Sequence, residues 1–471
     1  MSTARQIVKN MFSLSAAELA AKGLGVFFSL YLMRTIGPEN FGIFSSAKAL
    51  VFGFIVLVYL GFEQIGIREV ARDKSKLQKY ASLIFSIRFV IAIVCTIVLV
   101  ILMEFFLVND PSYEIRKTVT YIYAILILGN VIFLNWAYQA VEKMHIIAIR
   151  SVLVNLLNLV GLFIFVHNEN DLILAVWIIV ISNLINLFWM LFHFIKYYGM
   201  PKLYVDLDLW KSLIGESFRV GIVFLITTLY SIITLQILTY ISGNHQTGIY
   251  SAAFQIMVLC LIPSNILQQA FFPQIARSNS KEEKNTIVSK YILINVLSGT
   301  FIAFTLFVYS DLIIVLLGKK YDGTNYILKI LAISVLIQYL STCFFSPLIA
   351  WKKENIVVWA NVAGLIIILI VNLLLVPGYG YFGAAIATVF CELGVLLVLL
   401  RIFYKEQGKL FINEILKVIA VGIPGFAVGY LFLNYGMNIY LSFLISTLIF
   451  ILLNLYFNVV NIKEIKLILK K

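Results

Sequence analysis

The sequence predicts an all-α polytopic membrane protein of about 14 transmembrane helices, with two six-helix lobes related by a pseudo-two-fold axis along the membrane normal and two further C-terminal helices. Three observations carry this. First, 62% of the 471 residues are hydrophobic, only 13% are charged, and the mean hydropathy is +0.98. A soluble domain has roughly 45–50% apolar and about 25% charged residues, so a soluble globular fold is excluded. Second, basic residues alternate in density from gap to gap along the chain. Third, one segment recurs at a separation that places both copies at equivalent points of two halves.

Each helix follows from an apolar block long enough to span, bounded by charged or turn-rich gaps. The first two, near 11–33 and 43–65, flank the Gly37-Pro38 turn, and the basic stretch Arg68 to Lys79 precedes a third near 81–106. The fourth to sixth lie near 118–140, 150–167 and 173–195, and the Lys196–Lys211 gap precedes the seventh near 214–241. After Gly243 come spans near 248–273, 289–310, 326–349, 356–376 and 383–403, and then 416–434 and 438–459. The opening MSTARQIVKN leads into a long apolar segment without a small-residue cleavage site, which reads as a retained first helix.

With the N-terminus in the cytosol, twenty-six of the 36 basic residues fall in inside segments. Only Arg34, Arg116, Lys117, Lys319 and Lys320 fall outside. This asymmetry places both termini in the cytosol, since Lys and Arg are retained on that side. It also accounts for the net charge of +13, which in a soluble chain would suggest nucleic acid; none is expected here.

Gly37 through Ala47 reads GPENFGIFSSA, and Gly243 through Ala253 reads GNHQTGIYSAA, an offset of 206 residues. Both copies open the second helix of a half. Six helices, an even number, separate them, so both halves keep one orientation across the membrane with a central cavity expected between them. The expected organisation is an N-lobe over 1–200, a C-lobe over 201–405, and two additional helices with a basic tail over 406–471.

Catalytic signatures are missing: the chain has no GxxxxGK[ST] and no HExxH. GYGYFG at Gly378–Gly383 satisfies G-x-G-x-x-G but lies between two apolar helices with no preceding strand, so it reads as a tight turn after Pro377. Cys95, Cys260, Cys343 and Cys391 lack metal or redox spacing and read as small core residues. No metal or cofactor is implied.

The informative residues are the charges inside spans: Glu18, Lys22, Lys48, Glu63, Arg88, Glu216, Arg219, Lys329 and Glu392. A Lys or Arg at the bilayer centre costs roughly 2.5–3.5 kcal/mol on insertion scales, so these side chains need protein partners or a watery cavity. Glu18 with Lys22 (i,i+4) and Glu216 with Arg219 (i,i+3) can pair within their own helices. Lys48 and Arg88 have no such partner and need a cross-helix carboxylate or an anionic ligand. Lys329 lies within a turn of the outer end and can snorkel. With Arg34 at the outer end of the first helix, Lys22, Lys48, Arg88 and Arg219 stage cations across the thickness. Such a track suits an anionic headgroup, which Arg binds in bidentate fashion and Lys as a point charge. Glu18, Glu63, Glu216 and Glu392 are the candidate charge partners or coupling groups. Polar amides such as Asn130 and Gln236 read as hydrogen-bond partners between helices.

At these residues the sequence resembles the Wzx-type oligosaccharide flippases of the multidrug/oligosaccharidyl-lipid/polysaccharide exporter superfamily. The resemblance covers LMRTIGPENFGIFSSAKAL with YLGFEQIGIREVAR, then GIYSAAFQI with IPSNILQQAFFPQIARS, and later LLGKKYDGTNYILKIL and NLLLVPGYGYFGAAIATVFCE. It implies two lobes that alternate between inward and outward openings and move a polyprenyl-diphosphate-linked oligosaccharide across the bacterial cytoplasmic membrane, without covalent chemistry. It also implies that the basic residues of the lobe interior engage the diphosphate or an acidic glycan, here Lys22, Arg34, Lys48, Arg88 and Arg219. Many relatives carry an acidic residue in the seventh helix, where this chain has Thr234, which puts an acidic ion-coupling role there in doubt.

The expected partners are the lipid-linked oligosaccharide, the bilayer and other polysaccharide-assembly proteins; a coupling ion, H+ or Na+, is left open. A lateral opening beside the first and seventh helices is expected, to let the lipid tail stay in the bilayer. Two other readings compete. An organic-cation antiporter of the same fold would use Glu18, Glu63 or Glu392, but the basic track would repel its substrate. A glycan polymerase or ligase would need a larger external loop than the short outside gaps provide.

Overall fold

The computed structural model describes residues 3–106, 112–278, 280–351 and 353–457, with side chains from residue 23 onward except at 106 and 354–356. Among the described residues there is no strand. The helices are α1 (Thr3–Tyr59), α2 (Phe62–Arg72), α3 (Leu77–Phe106), α4 (Tyr113–Gly129), α5 (Asn135–Ala140), α6 (Met144–Phe165), α7 (Leu172–Tyr198), α8 (Leu207–Cys260), α9 (Ile262–Arg277), α10 (Lys281–Val308), α11 (Leu312–Leu317), α12 (Thr324–Ala350), α13 (Glu354–Gln407), α14 (Ile412–Asn434) and α15 (Ile439–Tyr456). The basic tail after Phe457 lies outside the described residues.

Eleven helical runs among the described residues are long and apolar enough to cross a membrane. Three of them hold 50, 71 and 51 residues, far more than the ~20 that one crossing needs. Each is kinked between its two predicted spans at a non-helical glycine: Gly37 (φ 74°, ψ 170°), Gly243 (φ 85°, ψ 172°) and Gly380 (φ 52°, ψ −129°). Each thus holds two of the spans predicted from hydropathy, and the fourteen-helix reading rests on counting every kinked run as two passes. The G-x-G-x-x-G stretch expected as a turn is such a kink within an otherwise helical run.

Gly37 and Gly243 are equivalent in the internal repeat, and their backbone angles nearly coincide. A side chain is disfavoured at such positive φ, which is why both copies keep glycine there. The first copy restarts its helix with Pro38, whose missing N–H costs nothing at a helix start. The second has Asn244, which donates from Nδ2 to Ser112 Oγ at 2.6 Å.

The chain divides into two compact units, Met1–Gly248 and Ile249–Lys471. In the first, a buried cluster of Phe62, Leu77, Trp136, Tyr138 and Phe194 joins α2, α3, α5 and α7 at the end that also carries Arg68–Lys79, termed here the basic end. The linker between α7 and α8 is strapped along α3 at this end. Gln78 Nε2 donates to Met200 O (2.6 Å), while Ser82 and Ser86 accept from the Lys202 and Tyr204 amides (3.0 and 2.7 Å). The periods match: four helical residues rise about 6 Å and two extended residues about 6.6 Å, so every second linker residue meets the ridge 78–82–86. Asp206 then caps α8, accepting from the Leu209 amide at 3.1 Å.

In the second unit, α10 is the helix on which α9, α12 and α14 pack. Asn295 reaches the Tyr339 carbonyl at 2.8 Å, tying α10 to α12. Gly422, Gly425 and Gly429 turn one face of α14 toward α10 and α15, where added Cβ atoms would overlap Thr300, Phe450 and Ser446. Small residues at such seams let helix backbones approach in lipid, where no hydrophobic force drives helices together. All four cysteines are free thiols, and Cys95, Cys343 and Cys391 are buried.

Candidate functional site

Within the first unit, α1 beyond its kink runs antiparallel to α8 before its kink. At the kinked end the two repeat copies meet reciprocally. A Cβ on Gly42 would overlap the Asn244 carbonyl, and one on Gly248 would overlap the Pro38 carbonyl. Residues 38 and 42 correspond to 244 and 248 in the repeat, so one contact is made twice with the roles exchanged. Midway, Gln236 Nε2 donates to Ser46 O at 2.9 Å, and Gly53 faces Ile232. At the basic end, where Gly61 adopts φ 81°, Gly61 backs onto the Ser217 carbonyl and Gly221 onto Leu60. Glycine at each crossing brings the backbones of α1 and α8 together along this seam.

Two ion pairs flank the basic end of the seam. Arg68 Nη1 lies 2.7 Å from Glu216 Oε1, and Arg68 Nε lies 2.9 Å from Glu69 Oε1. Glu216 is thus engaged across helices by Arg68, whose sequence role was only topological, and Arg219, one turn on, is exposed without an ion-pair partner among the described residues. In the turn that follows α2, Asp73 accepts from Ser75 Oγ (2.6 Å) and the Ser75 amide (3.1 Å), which holds its carboxyl below the usual range.

Deeper in the same unit, Arg88 is fully buried. Its Nη1 donates to Phe133 O at 2.9 Å, its Nη2 lies 3.2 Å from Glu63 Oε1, and the guanidinium lies 5.1 Å from the Tyr59 ring centroid. The break between α4 and α5 frees the Phe133 carbonyl for this bond. The Tyr59 hydroxyl donates to Asn130 Oδ1, and Arg150 stacks over the Phe133 ring at 4.6 Å. The sequence requirement for Arg88, a cross-helix carboxylate or an anionic ligand, is therefore met by Glu63. The adjoining cavity measures about 10 Å³, room for about one water, so no phosphate reaches Arg88 in this conformation.

Lys48 is exposed on α1, its Nζ 5.6 Å from the Phe44 centroid, and Arg34 is exposed one turn before Gly37. Neither has an ion-pair partner among the described residues. Glu392 is half-buried on α13, in the other unit. The side chains of Glu18 and Lys22 lie outside the described residues, so their pairing is not described. Of the five expected cations, Arg34 and Lys48 have no ion-pair partner among the described residues, Arg219 shares the field of Glu216 with Arg68, and Arg88 is consumed in a buried pair. Three more functional candidates escaped sequence reasoning: Arg68, Arg150 and Arg116. Arg116 is a buried cation on α4 whose guanidinium lies 4.6 Å from the Tyr240 ring centroid. Their only signal was positive charge, which topology already explained. Among the described residues, no three His, Cys, Asp or Glu side chains gather to hold a metal.

Helical spans built on repeat-related kinks, with unneutralised cations on spanning helices, define a membrane transport fold. The chain matches the polysaccharide biosynthesis protein family over residues 7–279 and 274–435, and it belongs to that family. An Escherichia coli (strain K12) relative named "Putative O-antigen transporter" is 26% identical, over 81% of this chain and 92% of its own length. The capsular polysaccharide biosynthesis protein CapF of Staphylococcus aureus is 23% identical, over 85% and 100%. Among solved structures, the lipid II flippase MurJ in an inward closed conformation superposes with a TM-score of 0.78 at 15% identity, covering 94% of this chain and 98% of MurJ. An inward-facing multidrug transporter of the MATE family gives 0.65 at 12% identity, over 82% and 94%. Both superpositions bear on the fold alone.

Proposed function

We propose that this protein is a flippase that carries a polyprenyl-diphosphate-linked oligosaccharide from the cytosolic to the outer leaflet of the bacterial cytoplasmic membrane, for cell-surface polysaccharide assembly. The observation that carries the reading is the pair of exposed cations without an ion-pair partner among the described residues, Arg34 and Lys48, with Arg219 beside Glu216, on spanning helices in a chain of the polysaccharide biosynthesis family. At roughly 2.5–3.5 kcal/mol for a mid-bilayer cation, unneutralised charge is retained at a cost that an anionic cargo offsets. A diphosphate fits this chemistry, since Arg engages phosphate in bidentate fashion and Lys adds point charge. Lys22 belongs to the same proposed track, and Arg88 with Glu63 supports it from the protein interior. The names of the curated relatives, an O-antigen transporter and a capsular polysaccharide protein, agree with such cargo.

In this reading, lobes 1–200 and 201–405 open alternately to the two sides, helices beyond 405 are accessory, and both termini lie in the cytosol, where the basic segments are retained. The cargo is moved without covalent change, and enzymes that build lipid-linked glycan on the cytosolic leaflet must supply it.

The test is translocation of a fluorescent polyprenyl-diphosphate oligosaccharide in liposomes holding the purified chain, beside Lys48→Ala, Arg34→Ala and protein-free liposomes. The expected result is protein-dependent flipping that Lys48→Ala abolishes and Lys48→Arg partly retains. Wild-type flipping by both alanine variants sinks the cationic track; gradient-driven uptake of organic cations without glycan flipping sinks the flippase reading.

A further inference from the structure

The second unit holds a cavity of about 330 Å³ lined by none of the residues of the cationic track. Its origin is in the packing. α12 and α14 both lie on α10, and the glycine face of α14 (Gly422, Gly425, Gly429) is turned toward α10 and α15. The next face, Ile423, Ala427 and Tyr430 at i, i+4 and i+7, is left facing the groove. Phe304, Phe307 and Val308 of α10 and the buried Phe426 form the rest of the apolar lining. The volume is at the lower end of small-molecule sites, roughly 300–1,000 Å³. Phe307, Ile423 and Tyr430 are 44%, 52% and 48% exposed, so the groove is open rather than enclosed.

One cation lines this apolar groove. Lys329 lies in the second turn of α12, half-buried, its Nζ 5.5 Å from the Tyr326 centroid. The nearby carboxylates are engaged elsewhere: Asp311 accepts from Asn325 Nδ2 at 2.6 Å, and Asp322 from the Gly323 amide at 3.0 Å. Among the described residues no carboxylate forms an ion pair with Lys329. The groove lies at the end of α10 remote from Lys281, Lys284 and Lys290, and so in the leaflet opposite those lysines.

We infer that this groove is a site for an anionic glycerophospholipid, with an acyl chain against Phe304, Phe307 and Ile423 and the phosphodiester on Lys329. Aromatic and aliphatic walls without a polar partner suit a hydrocarbon chain, and a single Lys at the rim is a point charge for one phosphate. A zwitterionic lipid gains less, because no free carboxylate stands beside Lys329 to receive its ammonium. The site does not depend on the flippase reading, and its test is a binding measurement independent of transport.

The experiment places the full chain in nanodiscs of phosphatidylcholine with phosphatidylglycerol, releases it gently, and counts retained lipid by intact-complex mass spectrometry. One phosphatidylglycerol is expected on the wild type. Lys329→Gln should lower its occupancy about tenfold, with phosphatidylcholine unaffected, and Ala427→Leu, which fills the groove, should remove it. A Lys320→Gln control should retain it. Equal retention of phosphatidylglycerol by Lys329→Gln and wild type, or equal retention of phosphatidylcholine, overturns the site. A third arm adds undecaprenyl phosphate at equal concentration: its preferential retention overturns the glycerophospholipid as the occupant, and continued retention of phosphatidylglycerol supports it. Should Lys329→Gln fail to fold, the Ala427→Leu arm still decides, since retention by that variant places the lipid elsewhere.

Discussion

Arg88 and Glu63 form a cross-helix ion pair, Nη2 to Oε1 at 3.2 Å, that turns a costly intramembrane cation into part of the first unit's scaffold. The Arg88 side chain is 1% exposed and that of Glu63 is 24% exposed, so removing the carboxylate leaves a buried guanidinium with the Phe133 carbonyl and the Tyr59 ring but no counter-charge from Glu63. Breaking a buried pair from one side costs about 3–5 kcal/mol. Glu63→Gln is expected to fall near the lower end of that range, seen as a lower thermal midpoint in detergent. Arg88→Met with Glu63→Gln should recover part of the loss. Equal midpoints for Glu63→Gln and wild type would show that the pair has no scaffold role.

This pair also marks where sequence reasoning reaches its limit. Hydropathy is local, so the spans and their lipid surroundings were legible, and so was the repeat, because GPENFG and GNHQTG share spacing. What the repeat does was not legible, since the reciprocal meeting of Gly42 with Asn244 and Gly248 with Pro38 depends on two helices about 200 positions apart. For Glu216 the nearest cation in sequence, Arg219, was the natural partner, yet Arg68, 148 positions away, takes it. Helical spacing names partners along one helix only. Lys48, which has no acidic partner along its own helix, also has no ion-pair partner among the described residues.

The reciprocal glycine contact predicts a conformational effect. A Cβ at position 42 meets main-chain atoms of Asn244 and Gly248, which no rotamer change can relieve. Overpacking costs typically 1–3 kcal/mol, and a two-state balance shifts roughly 5- to 150-fold for that energy. Gly42→Ala should therefore insert normally but lose most glycan export, read as surface polysaccharide per unit of membrane-embedded protein. Gly215→Ala, whose Cβ would meet nothing within 4 Å, is the matched control and should export normally. Export by Gly42→Ala at the control level would mean that the clasp is not closed at any stage of transport.

At the basic end the Arg68–Glu216 pair makes a different prediction, because both side chains are more than 40% exposed. Exposed pairs contribute only about 0.2–1 kcal/mol, so neither Arg68→Ala nor Glu216→Ala should change the thermal midpoint appreciably. Arg68→Glu places two carboxylates where one ion pair stood, and export should fall. Arg68→Glu combined with Glu216→Arg restores opposite charge and should restore export. Failure of the swap to recover what the single change loses would assign Arg68 another task, such as contact with the cargo.

The strap along α3 can be tested by cleavage. Ser82 and Ser86 accept from the Lys202 and Tyr204 amides, Gln78 donates to the Met200 carbonyl, and Pro201 lines the small cavity beside Arg88, so two hydroxyls, one side-chain amide and one ring hold the linker. A net hydrogen bond is worth about 1 kcal/mol, and proteolysis of a locally opened segment follows its open population. Ser82→Ala with Ser86→Ala should then raise trypsin cleavage after Lys202 in detergent by roughly tenfold or more, with helical content unchanged. The flanking Lys196 and Lys211 lie within helices α7 and α8, so their cleavage should not rise in parallel. A cleavage rate at Lys202 equal to wild type would mean that Gln78 and the ring of Pro201, and not the two serines, hold the linker; a Gln78→Ala, Pro201→Ala variant would then show the increase instead.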